Sequence, residues 1–109
     1  MNKLELHPLL TEDENGINQN QHYNEDETPG IIMLENKYTV EEMIAFCRIN
    51  VDKYIIRTPY KNQSDSDKHK INKYNEYKQV LLELLSKSQT LKTISVSEAF
   101  KLLEMKWRY

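Results

Sequence analysis

Residues 39–57 read TVEEMIAFCRINVDKYIIR, and this stretch decides the fold. Thr39 with Glu42 forms a capping box, in which the hydroxyl accepts from a first-turn N–H and the glutamate reaches back to the cap's own N–H. Behind it Val40, Met43, Ile44, Cys47, Val51, Tyr54 and Ile55 recur at intervals of three and four. That spacing gathers them on one arc and predicts a helix over 39–57. Pro59 disfavours helical geometry at Thr58 and ends it. Ala45, Ile49 and Ile56 line the opposite side, so the helix is apolar on two faces and calls for more than one packing partner, either the N-terminal segment or a second copy.

Working outward, Asp65 and Ser66 are both competent N-caps for a second helix over 66–87. Its apolar residues, Ile71, Tyr74, Tyr77, Val80, Leu81, Leu84 and their neighbours, cover more than half the circumference. Ser95 with Glu98 announces a third helix over 96–107, carrying Ala99, Phe100, Leu103 and Trp107 at helical spacing. The expected class is all-α: an antiparallel helix pair joined by a loop of about eight residues, closed by a shorter C-terminal helix. Before the pair, Pro29 and Gly30 mark a break, and 31–35 is either a strand-like piece or one helical turn. Residues 1–29 read as an irregular acidic arm with a short turn near Leu9 to Glu14, and 30–109 as a single helical domain.

The composition bounds the function. The chain has 109 residues, 39% hydrophobic and 29% charged, with two glycines and three prolines, which suits one modest core in a helix-rich protein. Its net charge of −2 divides unevenly: residues 1–29 hold seven acids and one base, the remainder fourteen bases and ten acids. An acidic arm ahead of a mildly basic body argues against a nucleic-acid binder. Cys47 is the single cysteine, so a cysteine metal site is excluded, and His7, His22 and His69 lack ligand spacing; no metal or cofactor is expected. No apolar run is long enough to cross a bilayer and residues 1–10 mix charge with apolar residues, so a soluble intracellular protein is expected.

Chemistry-bearing residues concentrate at one end of the helix pair. On the second helix Asp67 and Lys70 share a side with Tyr74; on the first, Asn50, Lys53 and Arg57 flank the apolar arc beside Tyr54. The hairpin should therefore bring Lys53, Arg57, Lys61, Asp67 and Lys70 together over Tyr54 and Tyr74. Two roles fit. Asp67 pairing with Arg57 or Lys53 would lock the register of the hairpin. Alternatively, surplus positive charge and the free N–H groups of the second helix would hold an anion such as a nucleotide phosphate.

Catalytic signatures point elsewhere. There is no glycine-rich phosphate loop, no H-E-x-x-H and no serine elbow. Glu41 and Glu42 resemble the acidic helices of magnesium-dependent pyrophosphohydrolases, but adjacent residues point in different directions and no second acidic pair follows. The 94–109 stretch ISVSEAFKLLEMKWRY resembles the opening helix of a helix-turn-helix, yet no turn and recognition helix accompany it, so a core helix is the expectation. A non-enzymatic protein is the reading.

His22 and Tyr23, then Glu42 and Phe46, then Asn50, Lys53, Tyr54 and Arg57, then Asp67, Lys70 and Tyr74 resemble the pattern of the SaV-like family of small bacteriophage proteins: H-Y, an E-x-x-x-F helix leading into N-x-x-K-Y-x-x-R, and D-x-x-K-x-x-x-Y. The resemblance covers roughly residues 22–85 and departs in the loop, which is longer and more polar here. It implies a phage protein in the cytoplasm of an infected bacterium, linked by the family's name to a host abortive-infection system. It implies two activities as alternatives: contact with host or phage proteins, with self-association, or nucleotide binding, since a related domain occurs in a phage nucleoside monophosphate kinase. The pattern marks His22, Tyr23, Asn50, Lys53, Tyr54, Arg57, Asp67, Lys70 and Tyr74 as binding residues.

Overall fold

The computed structural model describes residues 3–10, 29–57 and 65–108. Within them the order is β1 (Lys3–Leu6), α1 (Gly30–Lys37), α2 (Val40–Ile56), α3 (Asp65–Lys87), a 3-10 turn (Gln89–Thr93), α4 (Val96–Leu102) and β2 (Met105–Arg108). The described chain is mostly helical, as the apolar spacing predicts, with one small strand pair added.

The capping box at Thr39 forms in both directions, Glu42 N–H to Thr39 Oγ1 at 3.1 Å and Thr39 N–H to Glu42 Oε1 at 3.0 Å. At Ser95 the side chain accepts from Glu98 N–H at 3.1 Å, the forward half of such a box. The two caps lie back to back. Thr39 and Ser95 form an antiparallel bridge in which Val40 N–H donates to Ile94 O at 2.9 Å and Val96 N–H to Tyr38 O at 3.4 Å. The start of α4 is thus tied to the start of α2.

α2 and α3 pack antiparallel, since Arg57 meets Asp67 while Phe46, a full helical stretch earlier, meets Tyr74. Their seam buries Met43, Ile44 and Cys47 of α2 against Tyr77, Leu81 and Leu84 of α3, and Val96, Ala99 and Phe100 of α4 close the core. Burial of a large apolar side chain contributes roughly 1.5–3 kcal/mol, so this seam is the main stabilising element. Ile55, which the spacing places on the buried arc, is 50% exposed; Tyr54 takes the inward position in that last turn, at 7%.

Of the two readings of 31–35 the helical one holds, lengthened into the helix α1, whose Glu35 is buried. Two expectations are corrected. The C-terminal helix does not reach 107: it ends at Leu102, Glu104 takes a positive φ of 55°, and Met105–Arg108 is a strand. The N-terminal arm is ordered over Lys3–Leu6, which pairs in parallel with that strand, Lys3 opposite Met105 and Leu6 opposite Arg108. A turn follows, with Leu10 N–H donating to His7 O at 3.1 Å. Residues 11–28, including His22 and Tyr23, lie outside the described residues, as does Lys61.

Candidate functional site

The hairpin end gathers the charged residues around one ring. Lys53 Nζ lies 4.6 Å, Lys70 Nζ 5.4 Å and the Arg57 guanidinium carbon 5.5 Å from the centroid of Tyr54. Cations over an aromatic face are attracted by the ring quadrupole, by about 0.5–1 kcal/mol at exposed sites, which is enough to orient flexible lysines. Tyr54 in turn stacks on Tyr74 at 6.5 Å and 25°, and Phe46 meets Tyr74 edge-on at 5.9 Å. Burial foremost, then Tyr54 and Cys47 nearby, push the Tyr74 phenol above its ordinary value.

Arg57 Nη1 sits 3.8 Å from Asp67 Oδ1, and Asp67 is buried while Arg57 is half-exposed. The register-locking pair expected at this end therefore forms with Arg57 rather than Lys53. Asn50 turns away from the cluster: its side-chain amide donates to Phe46 O at 2.9 Å, one turn back on its own helix. Of the residues singled out in the sequence, Lys53, Tyr54, Arg57, Asp67, Lys70 and Tyr74 converge; Asn50 does not, and His22, Tyr23 and Lys61 are outside the described residues.

Beside this cluster opens a cavity of about 240 Å³, walled by Tyr54, Tyr74, Lys70, Lys73, His69 and the Pro8–Leu9 turn. His69, Lys73, Pro8 and Leu9 escape a sequence reading for different reasons. Lys73 and His69 look like ordinary solvated positions on a charged helix start, and no local signal places the Pro8–Leu9 turn against α3.

A second polar constellation is buried at His7, Glu35 and Tyr77 and half-buried at Trp107. The Glu35 carboxylate of α1 accepts from Trp107 Nε1–H of β2 at 2.8 Å, from His7 Nε2–H at 3.1 Å and from the Tyr77 hydroxyl of α3. Leu9 N–H donates to His7 Nδ1 at 3.2 Å, which assigns the proton to Nε2. The His7 ring packs on Trp107 at 4.2 Å and on Tyr77 at 4.9 Å. Burial, followed by the adjacent Glu35 carboxylate, pushes the Tyr77 phenol far above its ordinary value. With His7 and Glu35 at 0% and 1% exposure the imidazole and the carboxylate are shut off from solvent, so the cluster joins elements rather than offering a site. One signal for it exists in the sequence: Glu35 stands one helical turn after Ile31 and next to Leu34, on the inward side of an apolar helix.

The third feature is apolar. Leu34 and Tyr38 together with Met43, Ala45, Phe46 and Ile49 of α2 line a groove of about 460 Å³. Ile49 is 67% and Ile56 64% exposed, which leaves the outer stripe of α2, read from the sequence as a second apolar face, open to solvent.

Among the described residues no group of three or more metal-ligating side chains assembles, and no helix is long and apolar enough to cross a membrane. The fold and its surfaces define a small helical-hairpin protein closed by a parallel strand pair. The chain belongs to a family of proteins of unknown function, DUF3310, whose model matches residues 17–76. That span contains every converging residue of the tyrosine–cation cluster and Glu35, whereas His7, Tyr77 and Trp107 fall outside it. No curated protein and no solved structure matches the chain.

Proposed function

We propose that this chain is a small non-enzymatic bacteriophage protein that acts by protein–protein contact in the cytoplasm of the infected bacterium, as the target or trigger of a host abortive-infection system. Its contact surface is the outer face of α2. One observation carries the docking role: Ile49, on the edge of the apolar groove, and Ile56, two turns further along α2, stand 67% and 64% exposed. Contiguous apolar patches on small proteins mark interaction surfaces. The phage setting is supported by the resemblance of residues 22–85 to the SaV-like proteins.

A second copy of the chain fits this face. Arg48 and Asp52 are exposed on the same side as Ala45, Ile49 and Ile56. An antiparallel two-fold pairing of α2 centred near Asn50 sets Arg48 of each copy opposite Asp52 of the other and places the two Ile49 side chains between them, with Ile56 at the flanks. Isologous interfaces are self-complementary in this way.

Sedimentation and light scattering at micromolar concentration test it. The expected result is a dimer, lost in Ile49→Glu with the far-UV circular dichroism unchanged. Reversing Arg48 to Asp should weaken the dimer and the added Asp52→Arg should restore it. A wild-type monomer, together with no phage or host protein recovered on the chain from infected cells, would defeat the proposal.

A further inference from the structure

The strand pair carries a face and an edge of its own, remote in sequence from α2. In the register of β1 and β2, Leu4 stands opposite Lys106 and Leu6 opposite Arg108. Residues paired across a sheet point to one side, and all four of these side chains are exposed. The outward face thus holds two leucines in one row and two cations in the next. Neither Lys106 nor Arg108 has an ion pair among the described residues. Both strands fall outside the span of the family match.

The edge of β1 is open as well. His7 N–H donates to Arg108 O at 3.1 Å, so at His7, and two residues earlier at Glu5, the backbone groups turn towards β2. Backbone direction alternates along a strand, which sends the N–H and C=O of Leu4 and Leu6 to the far side. The sheet has two strands, and among the described residues no group bonds these four there. Such an edge is a template for one more strand. It is also held in place, because β1 runs directly into His7, whose ring is tied to the buried Glu35 at 3.1 Å.

Three kinds of occupant compete for this surface, and hydrogen bonding and charge choose among them. A lipid surface covers leucines and attracts cations but leaves the edge groups unbonded, which is costly away from water. A second copy, pairing β1 with β1 about a two-fold axis, satisfies the backbone but brings four cations to one face with no acid in the paired rows. An extended acidic segment satisfies both demands. We infer that the open edge of β1 is a docking site for such a segment of another protein, which adds a third strand to the sheet. Glutamates of that strand lie in the outward row beside Leu4 and Leu6. Their methylene stems cover the leucines, and their carboxylates meet Lys106 and Arg108, whose backbone lies two strand spacings, about 9.5 Å, away.

The probe is a capped pentapeptide alternating glutamate and valine, titrated to millimolar concentration into the full chain, with hydrogen exchange read at the amides of Leu4 and Leu6. The expected result is saturable binding that slows exchange at both. One of the two alternating sets of peptide amides faces β1, so N-methylation of that set should weaken binding about tenfold and N-methylation of the other should not. Lys106→Glu combined with Arg108→Glu should weaken it about tenfold with unchanged circular dichroism, and the N-methylated peptides give the reading on the intact chain should that variant fold poorly. Unchanged exchange at Leu4 and Leu6 overturns the inference, as does indifference to both N-methylated peptides or equal binding of a lysine–valine peptide. Amides already protected in the peptide-free chain assign the edge to a second copy and overturn it too. Co-sedimentation with phosphatidylglycerol vesicles without peptide binding does the same in favour of a membrane.

Discussion

Glu35 is the side chain on which the most distant parts of the chain converge, through donors from His7, Tyr77 and Trp107. All three donors are neutral groups, because His7 already spends Nδ1 on Leu9 N–H. Truncation at this position strands buried donors. Glu35→Ala should cost about 3–5 kcal/mol, a large share of a typical domain's stability, in urea denaturation followed by Trp107 fluorescence. Glu35→Gln keeps the shape and one acceptor oxygen but turns an amide N–H₂ towards the other donors, and should cost about 1–3 kcal/mol. Equal losses for both variants would mean that the paired acceptor oxygens, and not the shape, carry the stabilisation there; no loss in Glu35→Gln would mean that shape alone matters. Cys47 poses the converse case: it is fully buried, and burial foremost pushes its thiol from 9.0 up to about 12 despite the opposing pull of Lys78. The thiolate is the reactive form. Ellman's reagent at neutral pH should therefore leave Cys47 unmodified in the folded chain and label it promptly in urea.

At the scale of elements, what could be read locally is what forms. The helix expected over 39–57 appears as Val40–Ile56 and that over 66–87 as Asp65–Lys87, because long amphipathic spacing with a cap is strong local information. The strand pair carried no such information. β1 is four residues long and exposes its own leucines, Leu4 at 57% and Leu6 at 47%, so its alternation gives no inward face, and its partner lies at the far end of the chain. Across the end of α4 and β2 the positions of Leu103 and Trp107 also satisfy a helical period, and nothing in LEMKWR interrupts it. The interruption is conformational: Glu104, just past the Leu103 cap, takes φ of 55°, where glycine is usual. A non-glycine residue there costs about 1–2 kcal/mol. Glu104→Gly should accordingly raise the melting temperature, corresponding to a gain of about 1 kcal/mol after its added unfolded-state entropy. A fall on thermal denaturation would show that the Glu104 side chain itself supports the turn. The candidate site divides in the same way: the cations and tyrosines that the helix wheels bring together are legible, whereas the Pro8–Leu9 wall and the Glu35 clamp depend on contacts between distant segments.

At the scale of the whole molecule, Cys47, Tyr74 and Tyr77 make folding depend on pH on the alkaline side. Cys47 is raised from 9.0 to about 12, and Tyr74 and Tyr77 are raised from 10.0, each chiefly by burial. A neutral acid whose native pKa exceeds its unfolded one keeps its proton in the folded state while the unfolded chain releases it. Stability attached to these groups is thus fully present below their unfolded values and declines as pH rises past them. Unfolding free energy from urea titrations should change little on their account between neutral pH and the Cys47 value of 9.0. Beyond it the slope approaches about 1.4 kcal/mol per pH unit for one proton, and it steepens when the tyrosines join. Cys47→Ala separates the contributions: the first decline should move up towards 10.0, where the ordinary phenol titrates, while the steeper limb from Tyr77 stays. If the wild-type chain holds its stability well past that point, the phenols of α3 ionise in the folded state and the seam between α2 and α3 is wetter than its geometry describes.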